Sequence, residues 1–212
     1  MHEIPANLDF AQAVAVIGTG RTAMGIVQFS ELGADSVVVV PAAAGGLGTL
    51  LLQYARNAGA TVIGLAGGPE KVALARANGA DPAVDCTAPE WPEKVRARLG
   101  VRPATVVFDG VGGAVAREAV GLLGSDGQHI VFGWSSGEPY VTEGTSERVL
   151  GPAMMRRAGG PGPVRTLELR ALTEAAAGRL VPAVQRFPLS AAAEAHRALE
   201  ARRTTGKVVL EP

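Results

Sequence analysis

The chain has 212 residues, 47% of them hydrophobic, which is enough for one domain with a substantial core. Its 20 basic and 20 acidic residues balance, so it lacks the positive field that draws proteins to nucleic acid. The one cysteine, Cys86, excludes an internal disulfide bond and a zinc site made of cysteines, and it fits a reducing, cytoplasmic setting. Residues 1–5 lack the layout of a signal peptide.

Two helices are predicted before the first strand. Asp9 is placed to cap the first helix, and Gln12 completes a variant of the capping box. We expect this helix to end near residues 18–20, where two glycines flank a threonine. A second helix is expected over residues 21–32 and stops at Gly33.

An uncharged run over residues 36–55 is long enough to span a bilayer. Pro41 and three glycines interrupt it, so a buried strand over residues 36–40, a tight turn and a helix over residues 47–58 explain it better. The strand contains four consecutive valines, and a segment apolar on both faces is typical of a central parallel strand. We therefore expect no membrane partner.

Strands and helices then alternate along the chain. Further strands are predicted over residues 61–66, 83–86, 105–109, 128–133 and 207–210, and helices over residues 69–78, 91–99, 114–123, 167–177 and 191–203, the last capped by Ser190. This alternation predicts a three-layer α/β/α domain with a doubly wound parallel sheet, the Rossmann fold. The pattern lapses over residues 135–164, which we expect to be a lid, a binding loop, an interface element or a mobile segment.

The predicted domain is a single nucleotide-binding unit covering residues 1–212. Residues 1–33 form its leading helices, and residues 190–212 form its C-terminal helix and strand.

A glycine-rich turn joins the first strand to the next helix. It matches the dinucleotide fingerprint Gly-x-Gly-x-x-Gly, with Ala43 in the first position. The second glycine, Gly45, lets the backbone approach a pyrophosphate, and the third, Gly48, lets helix and strand pack closely. The helix N-terminus adds free N–H groups and the positive end of a dipole. A tight turn without a ligand is the alternative, but the strand–turn–helix context favours binding. The predicted cofactor contacts here are Ala44, Gly45, Gly46, Leu47 and Gly48.

The tip of the second strand indicates which dinucleotide is bound. An NAD site normally carries Asp or Glu there, whereas this strand ends in Ala66, Gly67 and Gly68. Lys71 lies on the first turn of the following helix, where it is placed to bind a 2′-phosphate. The alternative is that it is an ordinary solvated helix residue. The missing carboxylate removes a repulsion and the lysine adds an attraction, so we predict NADP(H), with Gly67 and Lys71 in contact with it.

Two more turns lie at the same edge of the predicted sheet. Asp109, Gly110 and Val111 follow the fourth strand, and Gly133 and Trp134 follow the fifth. Ligands of open α/β sheets bind outside the carboxyl ends of the strands, so we expect these residues to contact the nicotinamide half. Glycines that only make tight turns are the alternative.

Other classes of nucleotide enzyme are disfavoured. Neither Tyr54 nor Tyr140 is followed by the lysine of the Tyr-x-x-x-Lys motif of short-chain dehydrogenases, and there is no Gly-Lys-Ser/Thr of a P-loop. The three histidines form no cluster by spacing, so no metal site is predicted, and His129 is expected to be a strand residue. The catalytic residues stay unknown.

The order and spacing of several segments resemble the medium-chain dehydrogenase/reductase superfamily, specifically its zinc-free quinone oxidoreductase (zeta-crystallin-like) branch. The segments are residues 42–48, 79–81, 109–113 and 206–210, the pair at residues 22–23, and the tail over residues 188–210. The resemblance covers nearly the whole chain and is weakest over residues 140–165. It implies metal-free hydride transfer from NADPH to quinones, enones or similar activated alkenes, with cofactor contacts from Gly45, Gly46, Leu47, Lys71 and Gly133.

Members of this family begin with a β-rich, GroES-like domain that builds much of the substrate pocket, and we expect that domain to be absent here. The resemblance thus implies the cofactor-binding domain of an NADPH-dependent quinone or enone oxidoreductase, whose full-length parent acts on a small molecule. The alternative is a non-catalytic NADPH-binding or interaction module. By analogy with the family, a homodimer is expected to form through an edge strand near residues 127–132.

Overall fold

The computed structural model describes residues 2–149 and 151–212; Met1 and Leu150, which belong to the predicted domain and the predicted irregular segment, lie outside these residues. The strands of the main sheet are β1 (Val37–Val40), β2 (Thr61–Ala66), β3 (Ala83–Asp85), β4 (Ala104–Asp109), β5 (Leu123–Val131) and β6 (Ser146–Arg148). They pair in parallel in the order β3-β2-β1-β4-β5-β6. This confirms the doubly wound Rossmann fold, whose strand order reverses between β1 and β4.

Helices cover both faces of this sheet. They are α1 (Phe10–Ala15), α2 (Arg21–Val27), α3 (Gly46–Asn57), α4 (Pro69–Ala77), α5 (Trp91–Leu99), α6 (Gly113–Val120), α7 (Pro152–Ala158), α8 (Pro163–Ala176) and α9 (Ala192–Glu200). Val38 and Val40 lie in one buried cluster with residues of α2, α3 and α8, whereas Val39 lies in a second cluster with Trp91 and Val95 of α5. The valine run is therefore apolar on both faces because both faces are covered, as predicted.

The N-terminal helices form one continuous element. Asp9 and Gln12 make the predicted capping box, with the Gln12 N–H donating to Asp9 Oδ1 over 2.9 Å. The predicted break at residues 18–20 is wrong, because a π-helical segment, Val16–Gly20, joins α1 to α2. Gly20 is helical, and a Cβ on it would stand 3.1 Å from Ala171 Cβ, so this glycine serves close packing against α8 rather than a chain break.

This continuous helix, Phe10–Val27, is long and apolar enough by length and composition to cross a membrane, but 56% of it is buried inside the structure. A core helix of a soluble protein passes the same test. The uncharged run at residues 36–55 forms the predicted strand, turn and helix instead of a span.

Several element boundaries differ from the sequence prediction. The helix expected over residues 114–123 ends at Val120, because Leu123 already pairs with Ala104 as the first residue of β5. Ser190 does not cap α9; it lies in a 3-10 turn, Leu189–Ala191, that precedes the helix. The prediction for residues 21–32 was also too long, since α2 ends at Val27.

Three elements were not predicted. β6 and α7 lie within the segment expected to be irregular, and β7 (Val184–Pro188) pairs in parallel with β8 (Lys207–Glu211) in a separate two-stranded sheet. β6 also corrects the proposed dimer edge, because it pairs with His129–Val131 and leaves that part of β5 inside the sheet. The homodimer itself stays a prediction.

Candidate functional site

The turn after β1 lies at the point where the strand order reverses. Ala42 has a left-handed backbone with φ 51°, and the Gly45 N–H donates to Ala42 O over 2.8 Å. A Cβ on Gly48 would stand 2.2 Å from Ala42 O, so the first turn of α3 packs directly on the backbone of the turn. Only glycine fits this position, which confirms the close packing expected from the fingerprint.

The N-terminus of α3 has the geometry of an anion site. The N–H groups of Gly46, Leu47 and Gly48 belong to the first helical turn, where backbone donors have no acceptor within the helix. Within the part of the chain that the structure describes, no side chain caps α3, and its first turn holds no acidic residue. Gly45 and Gly46 are half-buried and carry no side chain, so the backbone is open to a phosphate group that meets the helix dipole.

The C-terminal strand supports this turn from one side. The Gly206 N–H donates to Ala44 O over 2.8 Å, and Gly206 bridges to Gly45 in parallel. A Cβ on Gly46 would lie 3.4 Å from the Lys207 nitrogen. The Ala44 carbonyl is thus held by the residue that precedes β8, while the N–H groups of Gly46, Leu47 and Gly48 form no hydrogen bond with the other described residues.

The turn after β4 is satisfied internally. The Val111 and Gly112 N–H groups donate to Asp109 Oδ1 over 2.8 and 2.9 Å, and the Gly113 N–H donates to Glu138 O over 2.8 Å. Asp109 is fully buried, so its side chain shapes the turn from within instead of facing the sheet edge. Compared with α3, the N-terminus of α6 therefore offers little to an anion.

The turn after β5 lies beside the turn after β4. The Ser135 N–H donates to Gly110 O over 3.0 Å, and a Cβ on Gly133 would stand 3.3 Å from the same oxygen. Trp134 is 42% exposed, a large apolar surface at the carboxyl edge. The structure thus brings together the predicted residues Gly110, Gly133 and Trp134; their contact with a cofactor stays a prediction.

Lys71 lies on the first turn of α4, as expected, and contacts a residue that sequence reasoning missed. Its Nζ donates to Arg202 O over 2.5 Å, and Arg202 Nη2 donates to Ser135 O over 3.1 Å. Arg202 has a positive φ of 53°, which is uncommon for arginine. The Lys71 ammonium thus contacts the backbone of Arg202, and the Arg202 guanidinium contacts the backbone of Ser135, so side chains from distant parts of the chain lie at this edge. In the sequence the signal for this is the arginine pair that follows α9.

Asp85, at the end of β3, holds the turn that contains Gly67. Its Oδ1 accepts hydrogen bonds from Gly68 N–H at 3.0 Å and from Thr87 Oγ1 at 2.7 Å. The Gly68 N–H, followed by the Thr87 hydroxyl and N–H, lowers the pKa of the Asp85 carboxyl below its usual range. The ionised carboxylate therefore supports this turn at neutral pH.

The titration of Asp85 is expected to be visible at Gly68. Because the folded pKa is lowered, the support is complete above the usual aspartate value of about 3.9 and is lost as the pH falls through the lowered pKa. The NMR signal of the Gly68 amide should titrate with a midpoint below that value. Thr87→Val removes one donor and should raise the midpoint, and a midpoint at or above the usual value in the unsubstituted chain would contradict this assignment.

Over residues 2–149 and 151–212 no group of three or more His, Cys, Asp or Glu side chains is placed to hold a metal ion. Cys86 is half-buried, and burial raises the pKa of its thiol.

Comparison with known proteins decides the family. The model of the zinc-binding dehydrogenase family matches residues 46–154. A quinone oxidoreductase of Pseudomonas aeruginosa is 33% identical, over 99% of this chain and 67% of that protein. The chain belongs to the quinone oxidoreductase branch of the medium-chain dehydrogenase/reductase superfamily. A 2-haloacrylate reductase of a Burkholderia species is 28% identical over 99% of this chain and 66% of that protein.

Solved structures of the family agree with the fold. The crystal structure of Escherichia coli quinone oxidoreductase complexed with NADPH has a TM-score of 0.84 at 26% identity, and the match covers 100% of this chain and 68% of that chain. The chain thus spans about two thirds of the length of the relatives that it matches.

Proposed function

We propose that this chain binds NADP(H) and is the cofactor-binding domain of an NADPH-dependent quinone or enone oxidoreductase that works without zinc. The observation that carries the proposal is the open N-terminus of α3, where the N–H groups of Gly46, Leu47 and Gly48 have no acceptor within the helix, at the reversal of strand order. This arrangement fits a pyrophosphate, because its donors are unpaired within the helix and, among the described residues, Ala42 O is the one atom found within 4 Å of a Cβ built on Gly45.

The two ends of the cofactor are assigned from the charges and surfaces at the sheet edge. Lys71 and Arg202 supply positive charge beside the tip of β2, whose own residues Ala66, Gly67 and Gly68 carry no acid, and would hold the 2′-phosphate. Gly110, Gly133 and Trp134 form the surface on the other side of the reversal point and would contact the nicotinamide. When bound, NADPH supplies the hydride, and the residues of this chain bind and orient it.

The substrate class follows from the names of the relatives. One is named a quinone oxidoreductase and another a 2-haloacrylate reductase, and quinones and 2-haloacrylates are both conjugated small molecules. The proposal also names a quinone or enone as the substrate and the cytoplasm as the location. It treats this chain as a single nucleotide-binding domain. In this proposal substrate positioning depends on a further domain, since hydride transfer requires the reacting atoms to be held in close alignment.

Cofactor binding and turnover test the proposal separately. The chain would be titrated with NADPH and NADH by fluorescence, and the oxidation of NADPH by 1,4-benzoquinone would be followed by absorbance. Tighter binding of NADPH than of NADH is expected. Binding without turnover would favour a non-catalytic NADPH-binding module for this chain, whereas no binding of either dinucleotide would contradict the proposal.

Lys71→Ala is expected to weaken NADPH binding about tenfold and leave NADH binding unchanged, because a charge-assisted hydrogen bond at an exposed site contributes roughly 1.5 kcal/mol. The measurement is a titration with each dinucleotide. Arg76→Ala is the matched control, since it removes the same charge from the last turn of the same helix. If the chain binds NADPH and NADH equally well and neither substitution changes this, Lys71 has no part in selecting NADPH over NADH.

A further inference from the structure

A line of polar side chains, two of them fully buried, crosses three strands of the sheet near the proposed nicotinamide side. Asp109 on β4 and His129 on β5 are both fully buried, and Ser146 lies next to them on β6. His129 Nε2 is 3.2 Å from Asp109 Oδ2, and His129 Nδ1 is 2.7 Å from Ser146 Oγ. The imidazole ring therefore links the fourth strand to the sixth through its two nitrogens.

The Asp109 carboxylate fixes the direction of this line. Its Oδ2 can only accept a hydrogen bond, so His129 Nε2 carries a proton and donates to it. In that tautomer His129 Nδ1 accepts the proton of the Ser146 hydroxyl. Ser146 Oγ in turn accepts the Thr142 N–H over 2.8 Å and lies 3.0 Å from Thr142 Oγ1, which can donate to it.

The line ends at backbone groups of the predicted cofactor edge. The second oxygen of the Asp109 carboxylate, Oδ1, accepts the N–H groups of Val111 and Gly112. Gly112 has a positive φ of 72°, and a Cβ on it would stand 2.1 Å from Glu138 O, so this turn is tightly constrained. The orientation of the Asp109 carboxylate sets the position of the turn, and His129 is the side chain that holds its other oxygen.

An apolar side chain at position 129 would fill the same space but would not hold the Asp109 carboxylate in its orientation. It would leave Asp109 Oδ2 buried and without its donor, which is costly for a charged group, and the carboxylate would be free to rotate or draw in water. Leucine would satisfy the packing at position 129, so the hydrogen bonds to Asp109 and Ser146 are what histidine adds.

We propose that His129 is a positioning residue for the nicotinamide half of the cofactor. It acts through Asp109 on the turn at Gly110 to Gly112, and it ties that turn to the segment containing Thr142 and Ser146 at the sheet edge. The inference rests on the proposed function, because it assigns a role to this turn in holding NADPH.

The test compares two ligands that share the adenosine end. NADPH reaches both ends of the site, whereas adenosine 2′,5′-bisphosphate reaches only the end near Lys71. His129→Leu is expected to weaken NADPH binding about tenfold, as for a lost hydrogen bond to a charged group, and to leave the bisphosphate affinity unchanged. His129→Gln, whose amide has a donor for Asp109 and an acceptor for Ser146, should restore most of the NADPH affinity.

A second readout needs no cofactor. Hydrogen exchange of the Val111 and Gly112 amides should be faster in His129→Leu than in the unsubstituted chain and close to normal in His129→Gln, with the Thr49 amide in α3 as internal reference. His196→Leu makes the same change at an exposed position of α9 and should alter none of these measurements.

The outcomes separate this inference from the proposed function. If the unsubstituted chain binds neither ligand, the proposed function fails, and with it the role of His129 toward NADPH. If the unsubstituted chain binds both, but His129→Leu weakens both equally or leaves the Val111 and Gly112 exchange unchanged, His129 is a packing residue and only this inference is overturned.

Discussion

Gly45→Val is expected to abolish NADPH binding while the chain keeps its fold. Gly45 has φ −82° and ψ 169°, an extended conformation that valine adopts readily. A Cβ there would stand 3.2 Å from Ala42 O, a contact that a shift of a few tenths of an ångström relieves. The valine methyl groups would instead occupy the space in front of α3 that a pyrophosphate requires.

The expected loss in affinity is at least about 100-fold, since about 3 kcal/mol is lost when two or more charge-assisted backbone hydrogen bonds cannot form. Fluorescence titration measures it, and thermal unfolding checks that the variant is folded. Gly33→Val is the control, because the described residues place nothing within 4 Å of a Cβ at Gly33, which precedes β1 at the opposite end of the strand. A folded Gly45→Val variant with normal affinity would show that the phosphates bind elsewhere.

Gly48→Ala is expected to lower the stability of the fold itself. The added Cβ would stand 2.2 Å from Ala42 O, 2.8 Å from Ala42 C and 2.9 Å from Ala43 Cα, all of them backbone atoms that cannot rotate away. The helix α3 would have to move off β1, where Leu51 and Leu52 are fully buried. Such overpacking costs about 3 kcal/mol, whereas the better helix propensity of alanine returns about 1 kcal/mol.

The net result is a loss of about 2 kcal/mol in the free energy of unfolding, measured by chemical denaturation. Gly18→Ala is the matched control, since it lies inside the helix Phe10–Val27 and none of the described atoms lies within 4 Å of its added Cβ. That control should be neutral or slightly stabilising. If Gly48→Ala were as stable as Gly18→Ala, the close packing of α3 on the turn would be wrong.

Local patterns predicted the elements that hold the candidate site. Four valines in a row predicted a central strand, and the structure buries Val38 and Val39 on opposite faces of it. The glycine spacing after that strand predicted the tight turn and the helix N-terminus, because both depend on residues that are only a few positions apart in the sequence. The same kind of reasoning failed at Gly20, because this glycine packs against Ala171 of α8 and does not end the helix that contains it.

Contacts between distant parts of the chain were beyond the sequence patterns. β6 exists because three residues of a polar, glycine-rich segment pair with β5, and nothing in their own composition predicts a strand. Arg202 reaches the candidate site because Gly206 is bonded to the glycine-rich turn after β1, and the loop before Gly206 lies against Lys71.

Periodicity and glycine spacing are local properties, so the amino-acid sequence was enough to predict the Rossmann architecture and the glycine-rich turn after β1. Which side chains lie together at the sheet edge could be learned only from the folded chain. It paired Lys71 with the Arg202 carbonyl, and it placed His129 between Asp109 and Ser146. These contacts join residues from different strands and loops, and only the folded sheet brings them within hydrogen-bonding distance.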